Sequence, residues 1–207
     1  MHEILLASEK SIEYAANTLM RGGLVVFPTE TVYGLGGNAC DDHAVTQIFS
    51  YKGRPHTKAL GVCYASLDDA RVDVEVNELA YALAKKFLPG PLTLILKRLS
   101  DSRLSALCSA GKETVGVRIP SNETALKLLA MLSFPLAAPS ANKSTSPSPV
   151  TAAQASESLK DNEDLVVLDD GACPIGIEST IVDVLNKKII RLSAIKEDEI
   201  NSVFQEY

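Results

Sequence analysis

Apolar residues in this chain recur first at helical spacing and then in short continuous runs, and the two patterns alternate. Ser8 precedes Ile12, Ala15, Ala16 and Leu19, which share one face of a helix that Ser8 can cap. The patterns predict helices over 8–21, 42–52, 77–87, 121–132 and 151–160, and strands over 24–27, 59–63, 92–96, 114–119, 136–138, 165–168, 181–184 and 189–191. This alternation is typical of an α/β fold.

The segment from 27 to 54 has the most informative composition. The strand over 24–27 ends at Pro28, which cannot donate to a sheet, so the chain must turn after it. Hydroxyls, glycines and cations then follow, at Thr29, Thr31, Tyr33, Gly34, Gly36, Gly37, Lys52 and Arg54. The glycines permit backbone conformations or a close ligand approach that side chains would block. Such groups at the carboxyl end of a strand favour a site for a polyanionic ligand.

Two partial matches to known motifs lack the context that their chemistry requires, and a third motif is absent. Residues 34–39 match the dinucleotide fingerprint, but six residues separate them from the preceding strand and no acidic residue closes a second strand. No P-loop sequence occurs. Residues 140–143 read S-x-x-K, yet prolines follow and the partner motifs of that serine chemistry are missing. A glycine turn beside solvated Lys52 and Arg54 remains the simpler alternative.

Hydroxyl and amide groups recur at the ends of three predicted strands. They lie in the segments 29–33, 140–142 and 179–180, and this repetition favours one composite site over unrelated loops. Arg118 alternates with Val115, Val117 and Ile119 on a further strand, so it is either exposed or part of the wall of such a site. A loop rich in serine and proline over 143–149 is predicted to be mobile or to cover the site.

Composition is that of an ordinary globular chain. The 207 residues are 46% hydrophobic and 22% charged, which predicts one domain over 1–207. The net charge of −6 opposes indiscriminate binding of nucleic acid, so an anionic ligand requires a focused cluster of cations. The four cysteines and three histidines form no metal-binding spacing. Without a signal peptide or an apolar run of membrane length, we expect a cytoplasmic protein with reduced thiols.

Seven motifs in one order resemble the YrdC-like threonylcarbamoyl-AMP synthases, in a short, single-domain form. They cover nearly the whole chain: PTETVYGLG at 28–36, KGRP at 52–55, PGPLT at 89–93, GVRIP at 116–120, SAN at 140–142, GIEST at 176–180, and Arg191. The resemblance implies a twisted mixed sheet with helices around a large concave cavity. It also implies an enzyme, a nucleotidyltransferase that makes threonylcarbamoyl-adenylate and pyrophosphate from L-threonine, bicarbonate or CO2, and ATP. A separate tRNA threonylcarbamoyl transferase complex would use that product to form threonylcarbamoyladenosine.

The resemblance and the chemistry together suggest roles for the site residues. Lys52 and Arg54 are the candidates for catalysis, at the carbamate and phosphate oxygens. The predicted threonine site comprises Thr31, Tyr33, Lys58 and Arg118. The predicted ATP site comprises Lys52, Arg54, Ser140, Asn142, Ser179, Thr180 and Arg191. Mg2+ is expected with ATP, held mostly by the nucleotide because no carboxylate cage is evident.

Two departures from the family pattern keep other functions open. Cys63 stands where many members have histidine, and Ser193 replaces a glycine near the end of the chain. A paralogue of the same fold that uses another acyl donor, or has lost the reaction, is therefore one alternative. A non-enzymatic RNA-binding module is another, although the net charge of −6 disfavours it and suggests at most weak RNA binding.

Overall fold

The computed structural model describes residues 2–162 and 165–207, which form ten strands and seven helices. The strands are β1 (Glu3–Leu6), β2 (Val25–Phe27), β3 (Gly34–Asn38), β4 (Gly61–Cys63), β5 (Leu92–Lys97), β6 (Thr114–Arg118), β7 (Leu136–Ala137), β8 (Val166–Asp169), β9 (Thr180–Asp183) and β10 (Lys188–Arg191). The helices are α1 (Glu9–Met20), α2 (Asp42–Lys52), α3 (Leu67–Ala70), α4 (Glu78–Phe87), α5 (Glu123–Ala130), α6 (Ala152–Ser158) and α7 (Glu197–Glu206).

The strands of the described residues join in one mixed sheet, in the order β1-β8-β2-β3-β7-β4-β6-β5-β9-β10. The pairs β1–β8, β2–β8, β4–β6 and β5–β9 are parallel, and the remaining pairs are antiparallel. The late strand β8 therefore lies between the early strands β1 and β2, and β7 lies between β3 and β4. The predicted α/β class with a mixed sheet is confirmed.

Strand β2 is buried on both faces, which explains why its sequence is a continuous apolar run. Val26 belongs to one large apolar cluster, which also includes side chains of α2, α4, α6 and α7. Val25 and Phe27 point the other way, into a second cluster with side chains of α1 and α5. Helices thus cover both faces at this end of the sheet.

Most helix starts follow from capping side chains. Ser8 caps α1, and its hydroxyl accepts a hydrogen bond from the amide of Ser11. Asp41 caps α2 and Asn77 caps α4 in the same manner, at the starts of the helices predicted over 42–52 and 77–87. The predicted cap of α5 at Ser121 is wrong by one residue, because Asn122 supplies the cap. The predicted end of this helix at 132 is wrong by two residues, since α5 ends at Ala130. Strands β1 and β3 and helices α3 and α7 were not predicted.

The glycines of segment 34–38 do not form the turn that the sequence predicted. They form strand β3, and none of them has a positive φ angle. A Cβ atom at Gly36 would lie 2.9 Å from the ring of Phe27, and one at Gly37 would lie 2.6 Å from Leu24. Contact with neighbouring side chains, and not a turn, therefore requires glycine here.

None of the helices in the described residues has the length and apolar composition needed to cross a membrane. Cys40, Cys63, Cys108 and Cys173 are all free thiols.

Candidate active site

A cavity of about 330 Å³ lies over the middle of the sheet, on strands β4, β5 and β6. Side chains alternate along these strands: Val62, Leu94 and Val117 belong to the core, whereas Gly61 and Gly116 line the cavity. The two glycines are paired across β4 and β6, and a Cβ at Gly61 would meet no atom within 4 Å. Part of the cavity floor is therefore bare backbone, and the volume is in the range of small-molecule sites.

Cations from four separate segments converge on this cavity. Among the described residues its lining contains Arg54, Lys112, Arg118 and Arg191, and Glu178 is the carboxylate. Positive charge is thus concentrated at one place on a chain whose net charge is −6. This is the focused cluster that an anionic ligand requires.

Arg54 is held in place by the backbone that follows it. It comes directly after Gly53, which ends α2 in the left-handed conformation with φ 58°. Its Nη2 donates to the carbonyl of Ala59 at 2.7 Å, and its Nε donates to the carbonyl of Lys58 at 3.2 Å. Burial lowers the pKa of Arg54, but a guanidinium stays charged at neutral pH. The remaining donors are available at the boundary between the main cavity and a neighbouring one.

Lys52 lies in the wall of this neighbouring cavity and is only 2% exposed. Its Nζ donates to the carbonyl oxygens of Ser140 and Asn142, the latter at 2.6 Å. Burial lowers the pKa of Lys52 from 10.5 to about 7, with the nearby Arg54 as the second cause and Glu178 opposing both. The amine therefore joins the end of α2 to the predicted site segment 140–142.

The shifted pKa of Lys52 predicts a pH-dependent stability. In the unfolded chain the amine keeps its ordinary pKa, so between pH 7 and 9 it binds a proton that the folded chain has largely released. Raising the pH through this window should stabilise the wild-type chain relative to Lys52→Met, by roughly 1 kcal/mol per pH unit. Urea unfolding of both chains between pH 6 and 9 measures the difference. A difference that is constant with pH would show that Lys52 stays protonated throughout.

The alternation along β6 left Arg118 either exposed or in the wall of a site. In the structure its side chain lines the cavity. Its side chain is 11% exposed, and its Nη2 donates to Glu30 Oε1 at 2.7 Å. Cys63 is its register partner on β4 and also lines the cavity. Burial raises the pKa of Cys63 to about 11, with Arg118 lowering it and Glu30 raising it by smaller amounts. The thiol is therefore neutral at physiological pH.

Strand β9 and the end of β10 build the opposite wall. The Nε of Arg191 donates to the carbonyl of Ser179 at 2.9 Å, and its Nη1 lies 3.5 Å from Glu178 Oε2. The Ser179 hydroxyl lies 2.8 Å from that of Thr93 on β5. Burial lowers the pKa of Arg191, and Glu178 opposes this shift. Arg191 and Ser179 thus form one fixed unit at the cavity.

The loop over 143–149 is attached to the site at several points. The Ser144 amide donates to the Lys52 carbonyl at 2.9 Å, and the Tyr33 amide donates to the Pro149 carbonyl at 2.9 Å. The Ser148 hydroxyl donates to Glu178 Oε1 at 2.7 Å. The loop therefore forms a wall of the neighbouring cavity, although residues 145–147 are exposed.

Comparison with known proteins places this geometry in a family. The family model for Sua5, YciO and YrdC proteins, described as telomere recombination, matches residues 17–193. The chain belongs to this family.

Several relatives of this family match over almost the whole chain. A threonylcarbamoyl-AMP synthase of Pyrococcus abyssi is 41% identical over 96% of this chain and 58% of its own length. That of Bacillus subtilis is 39% identical over the same shares. The crystal structure of P. abyssi Sua5 complexed with L-threonine has a TM-score of 0.91 and 39% identity, and covers 100% of this chain and 61% of that one. The chain thus spans less than two thirds of the length of these relatives.

Thr31 and Tyr33 were predicted to bind the substrate threonine, but in this Sua5/YciO/YrdC-family chain their hydroxyls contact other groups of the protein. Thr31 is fully buried, and its hydroxyl lies 2.9 Å from that of Thr29. Tyr33 lines the cavity, but its hydroxyl donates to the carbonyl of Gly171 at 2.7 Å. Both side chains therefore fix the segment 29–33, and their hydroxyls are not free for a ligand.

Lys58 was predicted at the threonine site and Thr180 at the ATP site, but neither residue lines a cavity. The Lys58 side chain is exposed on the surface, and this residue meets the site only through the carbonyl that Arg54 binds. Thr180 is fully buried, and its hydroxyl accepts hydrogen bonds from the amides of Ser193 and Ile195 at 3.1 Å each. The structure brings together the other predicted residues: Lys52, Arg54, Arg118, Ser140, Asn142, Ser179 and Arg191.

Sequence reasoning missed three charged residues of the site. Glu30 and Glu178 lie inside the family motifs but were not assigned a role. Lys112 lies in a loop that turns back through Ala110 and Gly111, whose φ angles are 52° and 74°. The glycine at 111 could have signalled the turn, but the cavity that Lys112 faces forms only in the folded chain.

Proposed function

We propose that this chain forms threonylcarbamoyl-adenylate and pyrophosphate from L-threonine, bicarbonate or CO2, and ATP. The observation that carries the proposal is the convergence of four cations on one cavity with a floor of bare backbone. Such a site suits a ligand that carries several negative charges and that lies close against the backbone. The threonylcarbamoyl-AMP synthases that match 96% of this chain support the same reaction.

The reaction needs no nucleophile from the protein. The amine of threonine and bicarbonate give a carbamate and water. A carbamate oxygen then attacks the α-phosphorus of ATP, and the bond to the departing pyrophosphate breaks. Catalysis therefore rests on positioning and on stabilising negative charge, and positioning alone contributes up to about 7 to 11 kcal/mol in favourable cases.

We assign the reacting oxygens to Arg54, and we assign a positioning role to Lys52. Arg54 borders both cavities, so we expect its free donors to bind the carbamate and the α-phosphate where the two meet. The Lys52 amine holds the carbonyls of Ser140 and Asn142, which fixes the wall beside Arg54. Arg54 is the proposed catalytic residue.

The remaining groups bind the two substrates. Arg118, with a guanidinium at the cavity, is assigned to the carboxylate of threonine. Arg191 with Ser179, and Ser140 with Asn142, are assigned to ATP. Thr31, Tyr33 and Thr180 would act indirectly, by fixing the segments that carry these groups.

We propose that Mg2+ arrives with ATP and is held by its phosphate oxygens. In residues 2–162 and 165–207 no three histidine, cysteine or carboxylate side chains are grouped to hold a metal. Glu178 at the boundary of the two cavities is the acidic side chain within reach of such an ion. The bound ion would neutralise charge on the leaving pyrophosphate.

Adenylate formation tests the proposal directly. Pyrophosphate release from ATP should require both threonine and bicarbonate, and threonylcarbamoyl-AMP should be detected by mass spectrometry. The product would then be passed to a tRNA-modifying transferase. Release that needs a different acyl donor would favour the paralogue, and tight RNA binding without adenylate formation would favour the binding module.

Lys112 gives a prediction about ATP. Its exposed amine at the cavity mouth should attract the phosphates, so Lys112→Met should raise the KM for ATP about fivefold and leave that for threonine unchanged. Since the charge is exposed, the effect should shrink at high salt. Lys127→Met is the matched control, because that exposed amine pairs with Glu123 on α5 and lines neither cavity. Equal ATP kinetics for the two variants would contradict the assignment.

A further inference from the structure

Glu30 is a buried carboxylate beside the cavity. Its side chain is 7% exposed. Oε1 accepts a hydrogen bond from Arg118 Nη2 at 2.7 Å, and Oε2 accepts one from the Ser121 amide at 3.1 Å. Both oxygens are thus engaged, one by the cation and the other by the backbone that follows β6.

The backbone of Glu30 is equally fixed. Its carbonyl accepts a hydrogen bond from the Ile175 amide at 2.9 Å, and the carbonyl of Thr31 accepts one from Gly176 at 3.1 Å. Both the side chain and the backbone of Glu30 are therefore fixed, and this restricts rotation of the Arg118 guanidinium that the carboxylate holds. A charged hydrogen bond between two buried groups restrains a guanidinium more strongly than a solvated ion pair does.

Arg118 keeps unused donors in this arrangement. Its Nε is buried and has no hydrogen-bond partner within the described residues. Because Nε is itself buried, the donor that a ligand oxygen in the cavity can reach is Nη1, which also makes no hydrogen bond to the described residues. A carboxylate fits, because guanidinium groups bind its two oxygens with paired donors.

We propose that Glu30 is a positioning residue, which holds Arg118 in the orientation that receives the carboxylate of the amino-acid substrate. This inference rests on the proposed function, since it takes threonine as the ligand of Arg118. Glu30 does not touch the substrate, and it acts on amino-acid affinity only through Arg118. If Glu30 merely neutralised a buried cation, its loss would affect stability without a specific effect on threonine.

Calorimetric titration of the wild-type chain and of Glu30→Gln with L-threonine provides the test. Glutamine keeps the size of the side chain but loses the charge that holds Arg118, so the Kd for threonine should rise about fivefold. The Kd for ATP should change less than twofold. Glu75→Gln, which removes an exposed carboxylate 3.8 Å from Lys97, is the matched control and should bind both ligands normally.

A double variant separates positioning from a structural role. Arg118→Lys removes the planar fork, and adding Glu30→Gln to it should weaken threonine binding no further, because Glu30 acts through Arg118. Additive losses would overturn the proposal, as would unchanged threonine binding by Glu30→Gln. If that variant does not fold, Glu30→Asp serves instead, since its shorter side chain cannot reach both Arg118 and the Ser121 amide. Failure of the wild-type chain to bind threonine would overturn the proposed function as well.

Discussion

Replacing Lys52 with methionine should lower adenylate formation by at least ~100-fold, or about 2.7 kcal/mol of transition-state stabilisation. Methionine matches the length of lysine but leaves the carbonyls of Ser140 and Asn142 without their donor. The segment 140–142 would then lose its link to α2, and the wall of the ATP site would lose its buried amine. The measurement is the initial rate of threonylcarbamoyl-AMP formation with saturating ATP and threonine.

The same substitution should also destabilise the chain, because each hydrogen bond from the amine to a carbonyl contributes about 0.5 to 1.5 kcal/mol. Activity must therefore be measured well below the unfolding midpoint, which thermal unfolding determines. Lys143→Met is the matched control. That amine belongs to the neighbouring loop and lies 3.9 Å from Asp161, outside both cavities. A rate for Lys52→Met within twofold of the control would remove Lys52 from the site.

Arg54→Lys should lower turnover by at least ~10-fold, or about 1.4 kcal/mol. Arg54 spends two donors on the carbonyls of Lys58 and Ala59 and retains others for the ligand. An ammonium has the same charge, but it cannot bind the backbone and two ligand oxygens at once. The loss should fall on kcat more than on the KM for ATP, since charge attraction is kept.

The folding of Arg54→Lys should change little, because lysine keeps the positive charge and can still donate to the carbonyl of Ala59. Arg71→Lys is the control, as that exposed arginine lies 3.1 Å from Asp68 one helical turn away and lines neither cavity. Near-normal turnover by Arg54→Lys would show that Arg54 is only a wall charge and that the reacting atoms lie elsewhere in the cavity.

Local patterns in the sequence were sufficient for most of the fold. The caps Ser8, Asp41 and Asn77 and the apolar faces behind them are short-range signals, and each marks a helix that the structure contains. Strand β1 has no such signal. Its four residues are stabilised by pairing with β8, more than 160 positions away, and no local pattern encodes that partner.

At the site, the type of a residue predicted its chemical character better than it predicted which groups the side chain contacts. The position of Arg54 at the end of a helix and the alternation around Arg118 were visible in the sequence, and both line the cavity. Thr31 and Thr180 have the same polar character as Ser140, yet their hydroxyls bond within the protein. Whether a hydroxyl faces a ligand or its own backbone depends on tertiary packing, which periodicity does not record.

The interleaved sheet has a consequence for the synthesis of the chain on the ribosome. Strand β5 pairs with β6, which follows it after the segment 98–113, but its other neighbour, β9, is almost 90 residues further along. Arg191 and Ser179 belong to that late section, whereas Arg54 is made early. A nascent chain from which β9 has not yet emerged therefore exposes the edge of β5 and lacks the wall that Ser179 and Arg191 form. Because such long-range pairings form slowly, substrate affinity should appear last during folding, as the two ends of the sequence close around the same sheet.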